Sequence, residues 1–243
     1  MDRMIYLSMS GAKAALSRQD SLANNLANVS TNGFRAELTA FRAVPIRGDG
    51  ASTRVFSLET TPGYNDEQGP INATGRNLDV AMTGKSWLAV QGLDGTEAYT
   101  RAGSMEVNSE GVLVTRDGLQ VNSDGGGAIT VPQNAHVDIG DDGTITALVD
   151  GQKPQQIGKL KMVTPDVPMT RGTDGLFRAD DGDLAADPAA KLQSGALEGS
   201  NVSPVATMVG MIAAARQFEH QMKMLENAEK QDQSASKLLS ENG

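Results

Sequence analysis

The sequence predicts an α+β protein: an antiparallel, β-rich centre flanked by long N- and C-terminal helices that form coiled coils. Three observations carry this reading. Apolar residues recur at three- and four-residue spacing at both ends of the chain, the signature of amphipathic helices. The centre is instead cut into short β-prone runs by glycine-containing turn pairs. Strands do not alternate with helices there, so βαβ units are not expected.

Asp2 is placed to cap a first helix from about residue 3 to residue 28, roughly 40 Å long at 1.5 Å per residue. With Met9, Leu16 and Ala23 at heptad position a, Ile5, Ala12, Gln19 and Leu26 fall at d, and Ala15, Leu22 and Val29 at g. That stripe is wider than a two-stranded seam and suits a helix touched by several neighbours. It would also suit a helix lying on the core of a single chain. Asn24, Asn25 and Asn28 fall at b, c and f, opposite the stripe. A solvated face would carry Lys and Glu, so these amides, which both donate and accept, are expected to meet other polar surfaces. Asn32-Gly33 is a strong helix stop.

Residues 34–76 read as a connector with short strands near 43–46 and 53–58. Residues 77–195 read as the β-rich domain. Residues 78–82 alternate, 87–90 form a buried run, and 105–107, 112–114 and 119–121 follow. Asp94-Gly95, Glu110-Gly111, Asp117-Gly118 and Asp124-Gly125 separate them, and Asp-Gly is favoured in hairpin turns because both residues tolerate positive φ. Further strands are expected at 129–131, 137–139, 145–148 and 157–163, and residues 178–188 turn acidic and irregular.

Residues 196–243 form the C-terminal region. Ser203-Pro204 supplies an N-cap and a first-turn proline, and the helix runs to about residue 239, on the order of 50 Å. Met208, Met211, Ala215, Phe218, Met222 and Leu225 form its seam. The next positions, Glu229, Asp232 and Ser236, are polar before Leu239 resumes it. Coiled-coil pairing of the two terminal helices is the economical way to cover their apolar faces.

A formal net charge of −9 with no basic cluster argues against a nucleic-acid partner. The chain has no Cys, which excludes disulfides and thiolate metal sites. No basic-then-apolar leader opens the sequence, and no apolar run is long enough to span a membrane. The expectation is a cytosolic protein, or one exported without a cleaved signal. The only histidines, His136 and His220, stand apart, so no His cluster with metal-ligand spacing forms. Asp141-Asp142 and Asp180-Asp181-Gly182-Asp183 sit beside turn glycines and do not match a calcium loop. No catalytic residue, cofactor, metal or small-molecule substrate is therefore expected. The Met-rich face (Met208, Met211, Met222, Met224) could be an adaptable binding surface or ordinary helix packing. A cell-wall-binding or hydrolytic β domain is the rival class. It would need a concave site with convergent polar groups, and the residues name none.

Leu22-Ala23-Asn24-Asn25-Leu26-Ala27-Asn28, followed by Val29-Ser30-Thr31-Asn32-Gly33-Phe34, resembles the N-terminal signature of the bacterial flagellar rod and hook proteins. Thr74-Gly75, Leu78-Asp79-Val80-Ala81, residues 98–103 and residues 111–115 resemble that family's central β region. Residues 198–204 and 208–218 resemble its C-terminal helical region. The opening thirteen residues are similar to those of its proximal-rod members. Asn77, Ser86, Leu88 and Met105 depart from the family pattern, standing where proline, glycine and aromatics are usual.

The resemblance implies a structural subunit that polymerises through its terminal helices into the rod, the drive shaft that crosses the periplasm and transmits torque. A distal-rod or hook subunit is the alternative within the family. Its implied partners are other rod subunits, copies of itself and the flagellar type III export apparatus, which passes it without a cleaved signal. The expected assembly interface comprises Ile5, Met9, Ala12, Leu16, Leu22, Ala23, Asn24, Asn25, Leu26 and Asn28, with Met208, Met211, Ala215, Phe218, Met222 and Leu225.

Overall fold

The structure, a computed structural model, describes residues 2–45, 55–59, 63–149, 151–180 and 182–241. By internal contact the chain divides into two units. One comprises Met1–Val29, Ala36–Asn65 and Val202–Gly243, and the other Ser30–Arg35 and Asp66–Asn201. The fold is α+β, as expected, with a β-rich centre and a helix at each end.

In the first unit α1 (Asp2–Ala27) and α2 (Pro204–Glu241) lie side by side and antiparallel. Small residues let them approach. A Cβ at Gly11 would fall 2.8 Å from Gln221, and one at Gly210 3.2 Å from Leu22. Ser8, Ala12 and Ala15 of α1 are buried, as are Thr207, Ala214 and Ala228 of α2. The expected start of α2 is present: Ser203 Oγ accepts the Ala206 N–H at 3.4 Å, and the Ser203 carbonyl accepts the Thr207 N–H at 3.0 Å. The connector contributes β1 (Glu37–Leu38), β2 (Phe41–Pro45), β3 (Val55–Glu59) and β4 (Gly63–Tyr64), paired β1 with β4 and β2 with β3. The expected strand positions 46, 53 and 54 lie outside the described residues.

The β unit holds fourteen strands among the described residues. They are β5 (Ile71–Ala73), β6 (Val80–Met82), β7 (Trp87–Gln91), β8 (Glu97–Thr100), β9 (Met105–Val107), β10 (Leu113–Thr115), β11 (Ala135–Ile139) and β12 (Thr144–Val149). There follow β13 (Gln155–Lys159), β14 (Met162–Val163), β15 (Met169–Arg171), β16 (Phe177–Ala179), β17 (Leu192–Ser194) and β18 (Ala196–Glu198). A five-stranded sheet runs β14-β7-β8-β16-β15 and a three-stranded one β11-β12-β13. The pairs β9–β10, β6–β17 and β5–β18 complete the unit, all antiparallel. Val80, Met82, Leu88, Val90, Leu113, Val121, Ile145 and Leu160 meet in one core. Trp87 packs tilted on Phe177 with ring centroids 4.7 Å apart. Leu88 and Met105 are wholly buried, so both departures from the family pattern fill core space.

One expectation needs correction. Residues 119–121 and 129–131 are not strands; they pair through isolated bridges, Val114 to Gln120, Val90 to Val121 and Val112 to Thr130. Val121 and Ile129 are buried all the same, so apolar patterning marked the core positions without marking a ladder. In three of the four turn pairs only the glycine takes positive φ, Gly95, Gly111 and Gly118 at 79–80°, while after Asp124 it is Gly126 and Gly127 that take it and not Gly125. The side chain explains this at Asp94, Asp142 and Asp174. Each carboxylate accepts the N–H two residues on, from Thr96, Thr144 and Leu176. That Asx geometry leaves the left-handed residue to glycine alone.

Candidate functional site

Two features stand out, one in each unit. The first is the open face of the helix pair. Val205, Met208, Val209 and Ile212 are exposed over the first two turns of α2, spaced i, i+3, i+4 and i+7 as one stripe. Met222 and Met224 are exposed further along α2, and Tyr6, Met9 and Leu16 on α1.

The sixteen expected interface residues divide between this open face and covered positions. Met9, Leu16, Ala23, Asn24, Met208 and Met222 are exposed. Ile5, Leu22, Leu26, Asn28, Met211, Ala215, Phe218 and Leu225 are half-buried, and Ala12 and Asn25 are buried. Within this chain the polar surface that the amides meet is β1. Asn25 donates to the Glu37 carbonyl at 2.9 Å and accepts the Glu37 N–H at 2.7 Å, a side chain pairing with backbone like a strand. Asn24 donates to the Glu37 carboxylate at 3.1 Å, and Asn28 to Asn24. Tyr6, Val205, Val209 and Ile212 were not singled out in the sequence. The spacing from 205 to 212 is the signal that would have found Val205, Val209 and Ile212.

The second feature is a buried charge cluster in the β unit. Arg35, Arg101 and Glu198 are each about 1% exposed. Glu198 Oε1 lies 3.0 Å from Arg35 Nη2 and accepts the Gly69 N–H at 3.0 Å. Glu198 Oε2 lies 2.7 Å from Arg101 Nη2 and accepts from its Nε at 2.8 Å. Arg101 also donates to the carbonyls of Met82, Gly84 and Ser86, and Arg35 to that of Glu67. Two guanidinium groups thus share one carboxylate out of water, an arrangement tolerable only when nearly every donor is used. Burial pulls the Arg101 pKa below its ordinary value, and Glu198 opposes that shift.

Backbone seals the cluster. The Gly33 N–H donates to the Glu198 carbonyl at 2.8 Å, the Asn201 N–H to Phe34 at 3.3 Å and the Asn201 side chain to Glu67 at 2.8 Å. Phe34 lies beneath Arg171, whose guanidinium carbon is 4.3 Å from the ring centroid. Gly33 sits at φ +70°, where a Cβ would fall 2.3 Å from the Arg101 carbonyl carbon; no other residue fits both the dihedral and the approach. The chain passes between its two units after residues 29, 35, 65 and 201. Each passage is flanked by a residue bonded into this cluster: Gly33, Arg35, Glu67 and Asn201. Spacing rules cannot join residues 35, 101 and 198, and no sequence signal announced the cluster. Three stretches that carry the family resemblance nevertheless converge on it.

The histidines do not assemble chemistry. His136 Nε2 lies 3.0 Å from Asn77 Nδ2 in an open groove of about 370 Å³ lined with Arg76, Leu78 and Val107. Arg76 there is tied to Asp79 at 3.7 Å and to the Met105 carbonyl at 3.0 Å. His220 is exposed on α2. Among the described residues no group of three potential metal ligands comes together. Asp142 is an exposed turn residue, Asp180 accepts from Thr170, and Asp181 lies outside the described residues.

The acidic turns set a pH response. Hydrogen bonds from Thr96, Thr144 and Thr164 hold Asp94, Asp142 and Asp187 below the ordinary value of 3.8, and Arg178 does the same for Asp174. A carboxylate whose folded pKa is depressed takes its proton first in the unfolded chain. Its stabilisation is therefore full above the unfolded value and is lost as pH falls through the folded one. The β unit is expected to show a flat unfolding midpoint from pH 5 to 8 and a fall below about pH 4. Denaturant titrations at stepped pH check this, and a midpoint that rises on acidification contradicts it.

The chain is similar to known proteins over nearly its whole length. Three families match in chain order: residues 5–35 match "Flagella basal body rod protein", 81–147 "Flagellar hook protein FlgE/F/G D1 domain", and 193–238 "Flagellar basal body rod FlgEFG protein C-terminal". The chain is 45% identical to flagellar basal-body rod protein FlgF of Salmonella typhimurium and 44% identical to that of Escherichia coli. Each alignment covers 99% of both chains. It is 36% identical to FlgF of Caulobacter vibrioides over 98% of both.

Proposed function

Because the chain belongs to the flagellar basal-body rod protein family and is a structural subunit of the rod, we propose that it is a proximal-rod subunit that polymerises through α1 and α2. The observation that carries this reading is the apolar face that the helix pair leaves open, from Val205 to Ile212 and at Met9 and Leu16. Apolar area of that extent on helices is covered when subunits meet. Heterologous contacts between copies and neighbours build an open helical assembly such as a shaft. In this reading the helices form coiled-coil contacts in the inner layer, the β unit lies outside, and torque passes through packing alone. The partners are other rod subunits, copies of the chain and the flagellar type III export apparatus. The subunit reaches the periplasm without a cleaved signal. A non-enzymatic role is supported by the relatives, which are named as basal-body rod proteins.

Incorporation tests the reading. In cells lacking their own copy, the supplied chain is expected in purified basal bodies, and the Leu26→Asp variant is expected to be excluded from them. Leu26 is half-buried on α1, and an unpaired aspartate buried there costs several kcal/mol, on the order of 2–7 for a polar group and more for a charge. Absence of the unaltered chain from basal bodies overturns the role; normal incorporation of Leu26→Asp overturns the part given to α1.

A further inference from the structure

We propose that Met9, Met208, Met222 and Met224 are modification sites for two-electron oxidants of the peroxide class, and that their oxidation closes the helix pair to assembly. The inference rests on the assembly role given above to that pair.

Methionine sulfur is partitioned between the two units. In the β unit Met82, Met105, Met162 and Met169 are 0–5% exposed and held in the interior. On the helices Met9 is 57% exposed, Met208 50%, Met224 44% and Met222 38%. The chain has no Cys, so no thiol of its own intercepts an oxidant before these thioethers do. They also sit where apolar character matters. Met208 and Met222 are two heptads apart on α2 with Ile212 on the same stripe, and Met9 stands between the exposed Tyr6 and Leu16 of α1.

The chemistry balances with hydrogen peroxide alone. The sulfur lone pair attacks one peroxide oxygen, an S–O bond forms as the O–O bond breaks, and the departing hydroxide takes the proton of the transferred hydroxyl, leaving as water. The thioether is oxidised by two electrons to a sulfoxide and the peroxide is reduced. The product exchanges a soft apolar group for a strongly polar acceptor, which resists burial unless it finds a donor. Oxygen at Met208 and Met222 lies along the stripe whose burial Val205, Val209 and Ile212 favour, while Met224 opens on another side of α2 and Met9 lies on α1. The β-unit sulfurs are shielded, so the modified subunit stays folded. Assembly covers the helix face, which confines the sensitivity to free subunits. Enzymatic sulfoxide reduction reverses it.

The full-length protein is treated with hydrogen peroxide, mapped by mass spectrometry and offered to rods. One oxygen is expected at each of Met9, Met208, Met222 and Met224 well before any at Met82, Met105, Met162 or Met169. Incorporation is expected to fall about tenfold or more and to return after treatment with methionine sulfoxide reductase. A variant carrying M9L, M208L, M222L and M224L keeps the apolar area and is expected to incorporate in the presence of peroxide. Equal reactivity of the β-unit methionines, or undiminished incorporation of the oxidised protein, overturns the proposal. Should the leucine variant itself fail to incorporate, the reductase arm decides: recovery supports the proposal and no recovery overturns it. Failure of the underlying assembly reading is seen separately, as normal incorporation of subunits carrying aspartates at Val209 and Ile212.

Discussion

Glu198→Ala is expected to lower the stability of the β unit by about 3–5 kcal/mol, the cost of breaking a buried ion pair by removing one partner. Against a typical total of about 5–15 kcal/mol, that loss is enough to populate the unfolded state measurably. The reason is specific to this site. The substitution leaves Arg35 and Arg101 buried side by side with no anion between them, and leaves the Gly69 N–H without its acceptor. The measurement has a built-in reporter, because Trp87 is the chain's single tryptophan and Arg101 lies 5.8 Å from its ring centroid. Trp87 emission followed through a denaturant titration should give a midpoint well below that of the unaltered chain. Lys85→Ala is the control. It breaks an exposed pair with Asp66 at 3.8 Å and is expected to change stability by no more than about 0.5 kcal/mol. A loss at Glu198 as small as that would show that the cluster contributes little to holding the β unit together.

Val209→Asp combined with Ile212→Asp is expected to abolish incorporation into the rod while leaving the free subunit as stable as before. Both side chains are more than half exposed on α2, so aspartates there stay hydrated in the monomer and shift its unfolding by about 0.5 kcal/mol or less. Covering the same positions with a neighbour would desolvate two charges per subunit, an expense repeated at every copy. Leu26→Asp mixes fold with assembly because Leu26 is already half-buried; this pair separates them. Thermal unfolding of the monomer and recovery in basal bodies are the two measurements. Normal recovery with an unchanged monomer would remove this stripe from the assembly surface.

Much of the architecture was legible in the residues. Three- and four-residue apolar spacing placed both helices to within a residue or two, and Ser203-Pro204 marked where α2 begins. Glycine-punctuated runs placed β6, β7 and β9 to β12 and the antiparallel pairing. What stayed hidden was long-range. β8 and β15 to β18 are only three or four residues long, and they are strands because the five-stranded sheet and its neighbours offer them partners. The heptad assignment found the apolar residues of α1 and α2 without telling which side the partner helix would take. Met9 and Leu16 therefore share a stripe with Ala12 yet are left open. The cluster at Glu198 lay beyond reach for a different reason. An ion pair between residues 35, 101 and 198 leaves no periodic trace, and the two arginines and the glutamate read singly as surface residues.

The chain crosses between its units at four points, after residues 29, 35, 65 and 201. At each of them a residue is anchored, through Gly33, Arg35, Glu67 or Asn201, to the same knot of bonds around one carboxylate. The four crossings thus share one anchorage inside the β unit, so a change at the cluster is felt beside each of them.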